Sequence, residues 1–250
     1  MFTRLTEPRG RCAGTRGVAS NIVRLENQIY FVTIANDLVC LDLQSGKPKW
    51  VFHDAYSPQE HCLTCASPAL SDGRVYFGGR DGFAYAVDAQ SGKLIWRTDL
   101  GADATTSAAV DHHSLYLGTS KRHLFRLNTD SGAVLSDLPT ESTPNRRLII
   151  ANDSLLVFLE DEIFASFDLE LKKVAWSAEA SKQWTSAKPY LWRDAVLAGN
   201  RRELVALRAS DGTRKWSFQF PETVRGIGTS PDILYIGTLA GPVFAYSPKP

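Results

Sequence analysis

The chain has few cysteines, no excess of charge of either sign, no long apolar run and no sustained helical period. Lysine and arginine total 28 against 27 aspartates and glutamates, a formal net charge of +1. No whole-chain field draws such a protein to nucleic acid or to an anionic membrane, so a partner must be chosen by local surface chemistry. Nothing approaches the roughly 18 consecutive apolar residues of a spanning helix, and Met1 to Gly17 holds no apolar run resembling a secretory leader. As written, the chain reads as cytoplasmic and not inserted in a membrane, or as periplasmic if a leader has been removed. The four cysteines, Cys12, Cys40, Cys62 and Cys65, are too few and too unevenly placed for a disulfide framework in 250 residues. Reduced thiols are expected.

What is abundant is repetition. A phrase of apolar, Tyr, apolar, Gly, then a polar tip, then alternating residues ending in Asp runs from Val75 to Asp88. It recurs without a gap at Ile29 to Asp42, Leu115 to Asn128, Leu155 to Asp168, Ala195 to Arg208 and Leu234 to Ser247. The terminal positions 42, 88, 128, 168, 208 and 247 are separated by 46, 40, 40, 40 and 39 residues. Eight residues beyond the first five stand Trp50, Trp96, Ser136, Trp176 and Trp216. Ser45-Gly46, Ser91-Gly92, Ser131-Gly132 and Asp211-Gly212 precede four of them, and Glu170-Leu171 precedes the fifth. Alternating apolar positions, β-rich composition and glycine at the turns give four strands per unit. A four-stranded unit repeated about every 40 residues has propeller-blade spacing, because each blade needs a neighbour on both faces.

Tyr85 to Trp96, with Ser67-Pro68-Ala69 before it, resembles the repeat of the pyrroloquinoline-quinone (PQQ) type, and the resemblance spans roughly residues 18 to 248. With the six copies of the phrase, it predicts an all-β, six-bladed propeller of four-stranded antiparallel blades. The blades fall near 18–51, 65–98, 105–138, 142–177, 185–218 and 224–248, in one domain over 1–250. It also implies that Trp50, Trp96, Trp176 and Trp216 pack between blades, and that blades three and four, lacking the Trp and the Ser-Gly turn respectively, pack less regularly. The last blade lacks an outer strand, which residues 1–7 can supply, closing the ring and hiding a sheet edge. A seventh blade is the alternative.

Binding residues are expected on the face shared by the loops between second and third strands and the connections between blades. The tips there are Ala35-Asn36, Asp81-Gly82, Lys121-Arg122, Asp161-Glu162, Arg201-Arg202 and Ala240-Gly241. Basic tips flanking the acidic one, with Glu160 and His123 beside them, suit a protein or peptide better than a polyphosphate. Ordinary solvated hairpin tips are the plainer alternative. Trp184 lies off the blade-end register and, with Arg225, forms a candidate anchor at the channel mouth. The stretched interval carries His53, His61, Cys62 and Cys65, a C-x-x-C pair with two imidazoles that could hold zinc; unligated thiols in a loop are the alternative.

Quinoprotein dehydrogenases with similar repeats carry adjacent cysteines, a calcium site and a catalytic Asp. No residue here matches those positions, so neither PQQ nor a metal is the expected cofactor and none is carried over. The five histidines have no clear catalytic partner in sequence. A non-catalytic interaction scaffold is the expected function, with a small-ligand sensor or a propeller hydrolase or lyase as alternatives.

Overall fold

The computed structural model describes residues 17–18, 20–53, 67–160, 163–179, 189–200, 202–239, 241 and 243–247. The N-terminal segment 1–7 expected to close the ring lies outside them, as do His61, Cys62, Cys65, Asp161, Glu162, Trp184, Arg201 and Ala240. Among the described residues there is no helix, and the strands form six sheets. Sheet one takes Val23–Leu25, Gln28–Val32, Leu38–Asp42 and Pro48–Phe52. Sheet two repeats the antiparallel meander with Ala69–Ser71, Arg74–Gly78, Phe83–Asp88 and Leu94–Asp99. Sheet three runs from Ala109–Asp111 to Val134–Pro139, sheet four from Pro144–Ala151 to Val174–Glu179, and sheet five from Tyr190–Trp192 to Arg214–Gln219.

Two sheets depart from four antiparallel strands. Sheet four gains a fifth, because Thr106–Ser107 pairs parallel with Arg146 and Arg147. Sheet six has three, Val224–Thr229, Leu234–Thr238 and Val243–Tyr246. Among the described residues its last strand has no neighbour on the outer side, where every other sheet carries the strand of the repeat's Trp or Ser136.

Burial follows from stacking. Val75, Tyr76 and Phe77, and Ala84 to Val87, are fully buried on successive residues, so the middle strands bury both faces. Val75, Phe77, Tyr85 and Val87 pack on Val32, Leu38 and Phe52 of sheet one. Tyr76, Ala84 and Ala86 face Leu115, Leu117 and Leu127 of sheet three. The same exchange joins sheets three and four, four and five, and five and six, giving five apolar seams. Each is worth tens of kcal/mol in buried area before chain entropy is subtracted.

The tryptophans fasten the seams in one direction. The Trp50 indole N–H donates to the Ala89 carbonyl at 3.1 Å, Trp96 to Thr129 at 2.8 Å and Trp176 to Ala209 at 3.2 Å. The ring lies over the next sheet's turn glycine: a Cβ on Gly92 would come within 2.6 Å of Trp50, one on Gly132 within 2.7 Å of Trp96, and one on Gly212 within 2.5 Å of Trp176. These glycines serve a left-handed φ and a close approach together.

The two irregular positions compensate for each other, contrary to the looser packing expected of blades three and four. Ser136 replaces the indole and donates to the Glu170 carbonyl at 2.8 Å, while Tyr116 donates to Leu169. Leu171, at φ 54, turns into the seam and is 4% exposed. An apolar side chain from the turn fills the seam whose outer strand lacks a tryptophan. Trp216 lies at the seam between sheets five and six but is less covered than the other three. It is 36% exposed, and its indole has no partner among the described residues.

Candidate functional site

One face of the molecule is built by backbone hydrogen bonds between hairpin tips and inter-sheet connections. Leu100 N–H donates to the Gly82 carbonyl at 2.7 Å, Thr140 to Arg122 at 2.7 Å and Phe220 to Arg202 at 2.5 Å. Lys121 Nζ reaches the Gly101 carbonyl at 2.8 Å. The sequence placed both loop types on one face; the structure adds that they are tied. Side chains there are displayed from a hydrogen-bonded frame.

The tips differ in chemistry. Arg122, held at φ 66, and Arg202 are exposed, as is Arg225 on the first strand of sheet six. His123 pairs with Asp137 and stacks on Phe125, which fixes the base of the Lys121-Arg122 tip. Asp81 is not a solvated tip: burial raises its carboxyl above the ordinary value, opposed by a hydrogen bond from the Tyr85 hydroxyl. Asn36 is buried as well. The charged part of the rim therefore runs over sheets three to five, with Glu160 exposed between Arg122 and Arg202.

His53, the described member of the zinc candidates, is engaged elsewhere. Its Nδ1 lies 3.0 Å from Asp37 Oδ1, and no metal-holding group forms among the described residues. Cys40 is buried in sheet one, where desolvation raises its thiol above the ordinary value. His112 and His113 occupy the turn on the opposite end, where His113 accepts a bond from Thr129 N–H.

Sequence reading missed Arg146 and Arg147, on the inner strand of sheet four. Arg147 lines a cavity of about 460 Å³ along the axis, with its guanidinium 5.1 Å above the Tyr190 ring. The signal was present: adjacent arginines stand where corresponding strands have Ser67 and Ser107. A second cavity of about 350 Å³ lies between sheets five and six, lined by Trp192, Trp216, Phe218, Phe220 and Tyr246.

Stacked four-stranded meanders fastened by a blade-end tryptophan define a PQQ-like β-propeller protein. The family described as "Outer membrane protein assembly factor BamB" matches residues 9–178 and 64–249, and the chain belongs to it. Among curated relatives, the tetrathionate hydrolase of Acidithiobacillus ferrooxidans is 22% identical over 82% of this chain and 45% of its own length. Outer membrane protein assembly factor BamB of Burkholderia pseudomallei is 25% identical over 70% of this chain and 48% of its own. The chain thus spans less than half the length of each. The crystal structure of BamB from Moraxella catarrhalis superposes with a TM-score of 0.76 at 18% identity, covering 90% of this chain and 71% of that one. Quinohemoprotein alcohol dehydrogenase from Comamonas testosteroni gives 0.65 at 15% identity, covering 82% and 43%. Both likenesses are of fold.

Proposed function

We propose that the protein is a non-catalytic interaction scaffold that binds a protein or peptide through the face of tied tips. The observation that carries this reading is the set of hydrogen bonds tying the Lys121, Arg122 and Arg202 tips to the inter-sheet connections, since a surface organised before binding loses less entropy on association. BamB relatives named as assembly factors support it. Trp184, Arg225, Asp161, Glu162 and Arg201 belong to the proposed surface by their place in the repeat. Partners retained by immobilised wild type are to be compared with those retained by a Lys121→Glu, Arg122→Glu, Arg202→Glu variant of unchanged melting temperature. A partner lost at least about tenfold supports the surface; identical retention overturns it. A Trp184→Ala, Arg225→Ala variant tests the channel-mouth anchor in the same way.

The cytoplasmic expectation has no support from relatives named for outer-membrane assembly, and the cell envelope is the proposed compartment. For the fold, we propose a six-bladed ring closed by residues 1–7 laid along Val243–Tyr246. The outer side of Val243–Tyr246, unpaired among the described residues, and the adjoining apolar cavity support this closure. Deleting residues 2–7 should then lower stability and solubility. Unchanged behaviour would favour further blades instead.

A further inference from the structure

The axial cavity contains a chemical mismatch. Its walls come from the inner strands of five sheets, and Ala69, Leu70, Ala108, Val110, Ile149 and Ile150 make them aliphatic. Among the described lining residues Arg147 is the one charge, with no carboxylate beside it. Among the described residues the guanidinium has no hydrogen-bonded or ion-paired partner, only the face of Tyr190. Arg147 is partly exposed, and its guanidinium at the edge of aliphatic walls offers an anion a charge-assisted partner.

Register shows that the arginine stands where the three preceding sheets carry small polar residues. Val23, Ala69, Ala109 and Ile149 pair with Tyr30, Tyr76, Tyr116 and Leu156. Two residues before each stand Asn21, Ser67, Ser107 and Arg147. The first three are small and bonded to one another: Asn21 N–H donates to Ser67 Oγ at 2.9 Å, and Ser67 N–H to Ser107 Oγ at 3.3 Å. Arg147 lies beside Ser107 in the parallel pairing. The run of small polar residues gives way there to a long fork of donors.

The backbone is committed to this geometry. Sheet four's inner strand bulges between Asn145 and Ile149, and Arg146 takes φ 68, a left-handed conformation that is uncommon for a long side chain. Arg146 itself lies over Phe158 at 5.6 Å rather than lining the cavity. The Arg147 guanidinium stands over the Tyr190 ring, and its N–H groups carry no hydrogen bond among the described residues. The volume falls within the range of about 300–1,000 Å³ typical of small-molecule sites.

We propose that the axial channel binds a small organic carboxylate with an apolar body, its head paired with Arg147 and its body against the aliphatic walls. A guanidinium takes a carboxylate through two parallel hydrogen bonds, and the Thr229 hydroxyl and Tyr190 phenol add polar contacts within the same cavity. The site is independent of the tip surface.

Calorimetric titration of the full chain with sodium hexanoate, at constant ionic strength, tests this. Hexanamide serves as the neutral isostere and sodium sulfate as the anion without an apolar body. Saturable one-to-one binding of hexanoate is expected, at least about tenfold tighter than either comparison probe. Arg147→Gln should weaken it by about tenfold or more, and Lys172→Gln, at an exposed lysine outside the cavity, should not. No saturable binding, equal binding of hexanamide, or equal binding by Arg147→Gln overturns the proposal. If Arg147→Gln does not fold, methyl resonances decide: hexanoate must shift Leu70, Val110 and Ile150 where hexanamide does not. Shifts elsewhere, or none, also overturn it.

Discussion

Leu171 shows how one residue can repair a break in a repeat. Its side chain, 4% exposed, enters the seam between sheets three and four, where the outer strand has Ser136 and no tryptophan. Leu171→Ala should therefore cost about 2–4 kcal/mol, as core truncations do, although the residue stands in a turn; a denaturation midpoint close to wild type would refute the assignment. The tryptophans make a matching contrast. Trp96, 8% exposed and bonded to Thr129, should lose about 3–5 kcal/mol on replacement by alanine, whereas Trp216, 36% exposed, should lose no more than about 1 kcal/mol. Equal losses would mean that Trp216 is seated by residues outside the described set. Sequence showed the tryptophan spacing but not which rings find a seat, because seating depends on the neighbouring sheet's turn.

At the scale of the strand and its turn, legibility was high for order and lower for strand number. The phrase from Val75 to Asp88 marked every second and third strand, since a fixed length between turns leaves little freedom of register. The fifth strand of sheet four was not legible: Thr106–Ser107 pairs with Arg146 and Arg147 only because the chain passes between sheets there. The Asp-terminated turns also carry a pH dependence. Hydrogen bonds from Ser45, Ser91 and Thr213 hold Asp42, Asp88 and Asp211 below the ordinary carboxylate value. A depressed folded-state value means the stabilisation is complete above the unfolded value, near pH 4, and is lost as pH falls through the folded values. Asp88→Asn keeps an acceptor oxygen without the charge, so its midpoint should fall less than that of wild type between about pH 5 and pH 3. Parallel curves would show that Asp88 contributes nothing to acid unfolding.

Over the whole molecule, the described residues of each sheet pack chiefly on the neighbouring sheets in the series. Stability in such an array is close to a sum of local terms, so damage should stay local. Amide exchange after Trp96→Ala should accelerate in Leu115 to Leu117 and leave Val205 to Leu207 of sheet five unchanged; acceleration in both would mean that the array unfolds as one body. The repeat made this stacking legible, but not the chemistry at its centre, because Arg147 enters the axial cavity through a bulge that hydrophobic patterning does not encode. The one-directional fastening of tryptophan to the following sheet's turn also makes the protein its own set of optical gauges. The emission of Trp50, Trp96 and Trp176 reports on the sheet ahead of the one that carries each, so a change seated in sheet three should be read in the fluorescence of Trp96, on sheet two.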